Sequence, residues 1–104
     1  MSTLMNLNNS NVVALVRENI ALFEQFDTMY LFGSVLEGNG FYNDVDLLLI
    51  YSECPDEIAK IINHILISLE ELLNVSVDLT VLSLEEEREI QFLNWISPRC
   101  YRLK

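Results

Sequence analysis

The segment Asp44-Val45-Asp46-Leu47-Leu48-Leu49-Ile50-Tyr51 constrains this chain more than any other. Four apolar residues in succession, Leu47 to Ile50, fit a short strand buried on both faces. The two aspartates at its head are the anomaly. Asp is disfavoured inside strands because it competes with the ladder and loses hydration. Spaced by two, the side chains of Asp44 and Asp46 leave the same face of the strand, with α-carbons roughly 6.5–7 Å apart. Two carboxylates so placed repel each other unless a cation sits between them. Mg²⁺ suits the arrangement, since it takes a few carboxylates plus water and substrate phosphates.

Around this strand the apolar spacing reads as an alternation of helices and strands. Ser10 or Asn11 is a candidate cap for a helix over 12–25, whose stripe includes Val12, Leu15, Val16, Ile20 and Phe23. Met29 to Phe32 reads as a strand. Pro55 and Asp56 open a long helix to Leu73, where Ile58, Ile61, Ile62, Ile65, Leu66, Leu69, Leu72 and Leu73 keep three-four spacing. Val75 to Leu82 alternates, with Val75, Val77, Leu79 and Val81 on one face and Ser76, Asp78 and Thr80 on the other. Ser83 is placed to cap a last helix ending before Pro98, with Glu85 to Glu87 near its positive end. Arg99 to Leu103 reads as a short final strand. These elements predict an α+β (α/β-like) fold, a small mixed sheet with helices on one face. They fill one domain over 1–104, with 1–9 frayed.

All three glycines fall between residues 33 and 40, so backbone freedom is concentrated in the loop before Asp44. Gly33 lets the backbone approach a phosphate, and amides following Ser34 would point at that anion. Gly38 and Gly40 let the loop turn back into the next strand. Asp78 is the third candidate acid. If its strand neighbours that of Asp44 and Asp46, three carboxylates converge on one or two metals, able to hold a triphosphate and activate a hydroxyl.

The stretch LFGSVLEGNGFYNDVDLLLI resembles the signature of the nucleotidyltransferase superfamily, the polymerase-beta-like fold. That signature is an apolar strand, Gly-Ser, about ten residues, Asp-x-Asp, an apolar run, and a lone acid on a later strand. Here nine residues separate Ser34 from Asp44, and Asp78 stands in a Val-Asp-Leu context. The small size is similar to that of the minimal nucleotidyltransferases (MNT), which commonly pair with HEPN-domain toxins as antitoxins, type VII-like in that they move AMP from ATP to a toxin tyrosine. The resemblance implies that Asp44 and Asp46 bind Mg²⁺ and the triphosphate of ATP. It further implies that Asp78 joins the metal site and orients or deprotonates the acceptor hydroxyl, and that Gly33 and Ser34 seat the phosphates. Many relatives carry basic residues after Gly-Ser; here the loop reads GSVLEG, with Glu37 in place of a cation. Larger members add an acceptor-binding domain. In this chain a partner or a second copy, as in a homo-oligomer, would supply that surface.

Charge sets the alternative. Sixteen acidic residues against six basic ones leave a net charge of −10. Such a chain lacks the basic face of a general nucleic-acid binder or of a protein on an anionic membrane. It suits a non-catalytic module that neutralises a basic partner by masking it, the rival to the enzyme. The start MSTLMNLNNSN has neither a basic segment nor an apolar core like a signal peptide, and no apolar run is long enough to cross a bilayer. The expected location is the cytoplasm, with Cys54 and Cys100 reduced. A P-loop kinase is excluded by the lack of a Gly-x-x-x-x-Gly-Lys pattern. One histidine, His64, and two distant cysteines make no zinc site. Glu85 to Glu87 and Glu89 read as a solvated face or a docking surface for a basic partner, Phe41 and Tyr42 as packing aromatics or a base contact, and Ile67 as an apolar residue off its helix stripe that suggests an interface. Arg99, Arg102 and Lys104 read as a solubilising tail or a contact to phosphate or partner.

Overall fold

The computed structural model describes residues 9–33, 36, 44–97 and 99–104. It builds one four-stranded sheet in the order β3-β2-β1-β4 from β1 (Thr28–Phe32), β2 (Asp44–Tyr51), β3 (Ser76–Ser83) and β4 (Cys100–Arg102). β1 pairs antiparallel with β2 and with β4, whereas β2 and β3 run parallel. The parallel pair needs a crossover, supplied by the helix α2 (Ile58–Leu73). This is the expected α+β mixed sheet, and the apolar run of β2 lies in its interior, paired on both sides.

Strand periodicity divides β2 between two layers. Val45, Leu47 and Leu49 are fully buried against α2, whose Ile65, Leu69 and Leu73 recur at intervals of four, and against Val12 and Val16 of α1 (Asn9–Glu18). Leu48 and Ile50 are also buried, but on the opposite face. There the short helices α3 (Leu84–Ile90) and α4 (Phe92–Ile96) follow β3, and Phe92 packs edge-on against Phe32 at 5.6 Å. The two long helices thus share one face, as expected, and the short pair adds a partial cover to the other.

Several boundaries differ from the sequence expectation. The first helix starts at Asn9, inside the segment expected to fray, and residues 1–8 lie outside the described residues. It is not continuous to residue 25. The Asn19 N–H donates to the Val16 carbonyl (3.0 Å) and its side-chain amide donates to the Leu15 carbonyl (2.8 Å), after which Ile20–Phe23 continues as a 3₁₀ turn. The helix α2 begins past Asp56 because Glu57 takes a left-handed conformation, φ 55°. Gln91, at φ 52°, divides the expected last helix into α3 and α4. Glu87 leaves the solvated face assigned to it, since its carboxylate accepts the Leu93 N–H (2.8 Å) and holds the start of α4. Lys104 is not a free tail: its ammonium donates to the carbonyls of Phe23 (2.8 Å) and Phe26 (2.6 Å). No described helix is long and apolar enough to cross a membrane.

Candidate active site

The site follows from strand register. Asp44 and Asp46 are the first and third residues of β2, so both leave the face opposite α2. The parallel ladder sets Asp46 directly beside Asp78 of β3, and Asp44 beside Ser76. All three carboxylates therefore share one face and one end of the sheet. One oxygen from each lies within 4.8 Å of the others. Asp44 and Asp46 are half-buried and Asp78 is exposed, so the cluster opens to solvent on the β3 side.

Burial and neighbouring like charge both show in the proton affinities of Asp44 and Asp46. Burial, then a hydrogen bond and the charge of Asp78, raise the Asp44 carboxyl above its ordinary value. Burial, then the charges of Asp44 and Asp78 and a hydrogen bond with Asp78, push Asp46 up to about 6. Each influence on the pair favours the protonated form. The three converging carboxylates form an oxygen-only donor set, and such ligation fits a hard divalent ion such as Mg²⁺.

Gly33 completes the arrangement in a way the sequence did not reveal. It follows β1, whose Phe32 pairs with Asp46. Its φ of +85° is one that favours glycine, and a β-carbon there would run into the Asp46 carboxylate, 3.1 Å from its Cγ. The missing side chain is what makes room for Asp46. The Leu36 N–H closes a turn onto the Gly33 carbonyl (3.0 Å). Ser34, Glu37, Gly38, Gly40, Phe41 and Tyr42 lie outside the described residues, and with them the phosphate seat expected at Ser34. His64, Cys54 and Ile67 are exposed and away from the acids, and no described cluster joins a histidine or cysteine to them.

No protein-family model and no curated sequence matches this chain. Solved structures do. A toxin–antitoxin structure with AMP-PNP aligns over 94% of this chain and 73% of its own, at 25% identity and a TM-score of 0.59. The tri-AMPylated Shewanella oneidensis HEPN toxin in complex with MNT antitoxin aligns over 96% and 72%, at 25% identity and a TM-score of 0.54. The toxin–antitoxin MntA-HepT aligns over 96% and 72%, at 22% identity and 0.52. The chain has the fold found in these MNT–HEPN complexes, which supports the nucleotidyltransferase fold implied by its Gly-Ser and Asp-x-Asp pattern.

Proposed function

We propose that this chain is a metal-dependent nucleotidyltransferase and an antitoxin, transferring AMP from ATP to a hydroxyl, a tyrosine by the family resemblance, of a HEPN-type toxin. The observation that carries the reading is the convergence of Asp44, Asp46 and Asp78 on one sheet face. The likeness to a complex holding AMP-PNP and to one holding a tri-AMPylated toxin supports the donor and the acceptor class.

Asp44 and Asp46 would hold the divalent ion, with Asp78 as a further ligand. Bound there, the ion would supply charge neutralisation to the triphosphate. Asp78, exposed on the open side of the cluster, orients the acceptor hydroxyl and takes its proton. The acceptor oxygen forms a bond to the α-phosphorus, the bond from that phosphorus to the bridging oxygen breaks, and pyrophosphate leaves. Gly33 keeps its backbone close to Asp46 and leaves that carboxylate free to bind.

A second reading draws on the charge of −10: a module of this fold that neutralises a basic toxin by masking it. One experiment separates them. The HEPN-type partner is incubated with ATP, Mg²⁺ and either wild type or Asp44→Asn, then weighed by intact-protein mass spectrometry, with cell survival scored alongside. The transferase reading expects one or more nucleotidyl additions with wild type, none with the variant, and loss of protection. An unmodified partner with full protection by the variant would establish masking instead.

A further inference from the structure

The only tryptophan of the chain, Trp95, is 84% exposed, and Ile90 is 54% exposed. Exposed aromatics of this size carry much of the energy of protein interfaces, because each removes a large apolar area from water at little entropic cost. The place of Trp95 follows from the topology. β3 starts beside the acids and ends at Ser83, at the far end of the sheet. β4 starts at Cys100, which pairs with Phe32, itself the partner of Asp46. The α3–α4 segment therefore carries the chain back toward the acid end. Phe92 anchors it on Phe32, on the same face as the acids, and Trp95 follows one turn later in the same helix.

We propose that Trp95, with Ile90 across the Gln91 bend, is the docking surface for the protein that brings the acceptor hydroxyl to Asp44, Asp46 and Asp78. The proposal rests on the transferase reading above and names the surface that the reading requires. A macromolecule whose hydroxyl reaches the acids must also cover the sheet face around them, which the α3–α4 segment shares. Charge selects the occupant. The exposed Glu85, Glu86 and Glu89 lie on α3 and outnumber its single cation, Arg88, within a chain of net charge −10, so a second copy would bring like charge, whereas a partner with an apolar recess bordered by Lys or Arg is complementary.

Because Trp95 is the sole tryptophan, its fluorescence reports on this surface directly. The probe is the purified HEPN-type toxin, free of tryptophan by substitution, added to wild type with and without Mg²⁺ and ATP. The expected result is a blue shift of Trp95 emission and at least fivefold protection from iodide quenching on adding toxin. Trp95→Ala should weaken toxin binding at least tenfold while leaving Mg²⁺–ATP binding by calorimetry unchanged. Toxin binding with Trp95 still fully quenchable, or Trp95→Ala binding like wild type, overturns the docking surface. So does protection produced by Mg²⁺–ATP alone, which would make Trp95 a nucleobase platform, or by raising the protein concentration alone, which would make it a self-contact. The transferase reading fails separately: Trp95 protected by toxin, but no nucleotidyl group transferred, leaves a docking surface on a masking module.

Discussion

Asp46 loses hydration to the sheet around it and faces the charges of Asp44 and Asp78, which together push its carboxyl up to about 6 from an ordinary 3.8. The consequence for stability has a definite sign. Between those two values the native chain binds more protons than the unfolded one, so metal-free stability falls as pH rises from about 4 to about 6 and stays reduced above it. Asp46→Asn removes the charge and keeps the shape. The variant is therefore expected to unfold at a higher temperature than wild type at pH 8 in chelator, with the gain vanishing near pH 4. The gain should be about 1–2 kcal/mol, since water screens a half-buried group and reduces the full effect of the shift. Thermal unfolding across that pH range checks it; a variant no more stable than wild type at pH 8 would show that the three carboxylates do not strain the fold. The same residue marks what the sequence made legible. Period two set Asp44 and Asp46 on one face, and the parallel register then put Asp78 beside Asp46. The fit of Gly33 against Asp46 was not legible, because it depends on how closely β1 leads its exit turn past β2.

The helix start at Ser83 was readable from its polar cap; Ser10 and Asn11, the expected caps of the first helix, lie inside α1 instead, and helix breaks without glycine were not readable. Ser83 forms a full capping box: its hydroxyl accepts the Glu86 N–H (3.0 Å), and the Glu86 carboxylate accepts the Ser83 N–H (2.8 Å). That geometry is encoded in four consecutive residues, which is why the sequence fixes this boundary well. Ser83→Ala removes one arm of the box and is expected to cost about 1 kcal/mol in denaturant unfolding. Loss of less than a few tenths would mean that packing, not the cap, sets the start of α3. The breaks at Glu57 and Gln91 carry no such local mark. Both residues sit at positive φ, a conformation that glycine or asparagine usually signals, and neither residue type announces it. At Gln91 the compensation comes from Glu87, whose carboxylate takes up the Leu93 N–H (2.8 Å), a contact visible only once the chain has bent.

The molecule divides its labour between the two ends of the sheet. The end with Gly33, Asp44 and Asp78 gathers negative charge, while the other end is tied together by the last residues of the chain. Leu103 donates its N–H to the Met29 carbonyl (2.8 Å) at the start of β1, and the Lys104 ammonium donates to the Phe23 and Phe26 carbonyls (2.8 and 2.6 Å) beyond the 3₁₀ turn. Partners about eighty residues apart leave no trace in local spacing, so the basic ending read as a tail. In the fold it joins β4, β1 and the turn that brings Phe23 and Phe26 into the core. Lys104→Met keeps the apolar stem and deletes the donor, leaving two partly buried carbonyls to find water. Hydrogen bonds to a charged group contribute about 1.5–3 kcal/mol, so the variant is expected to unfold at least several degrees below wild type. Because the clamp lies at the end of the sheet away from the acids, Mg²⁺–ATP binding measured below the unfolding range should match wild type. A wild-type unfolding temperature would show that the clamp adds nothing. A lowered temperature accompanied by lost Mg²⁺–ATP binding would show that the two ends are coupled through β1 and β2, and that the acid site depends on how the far end is closed.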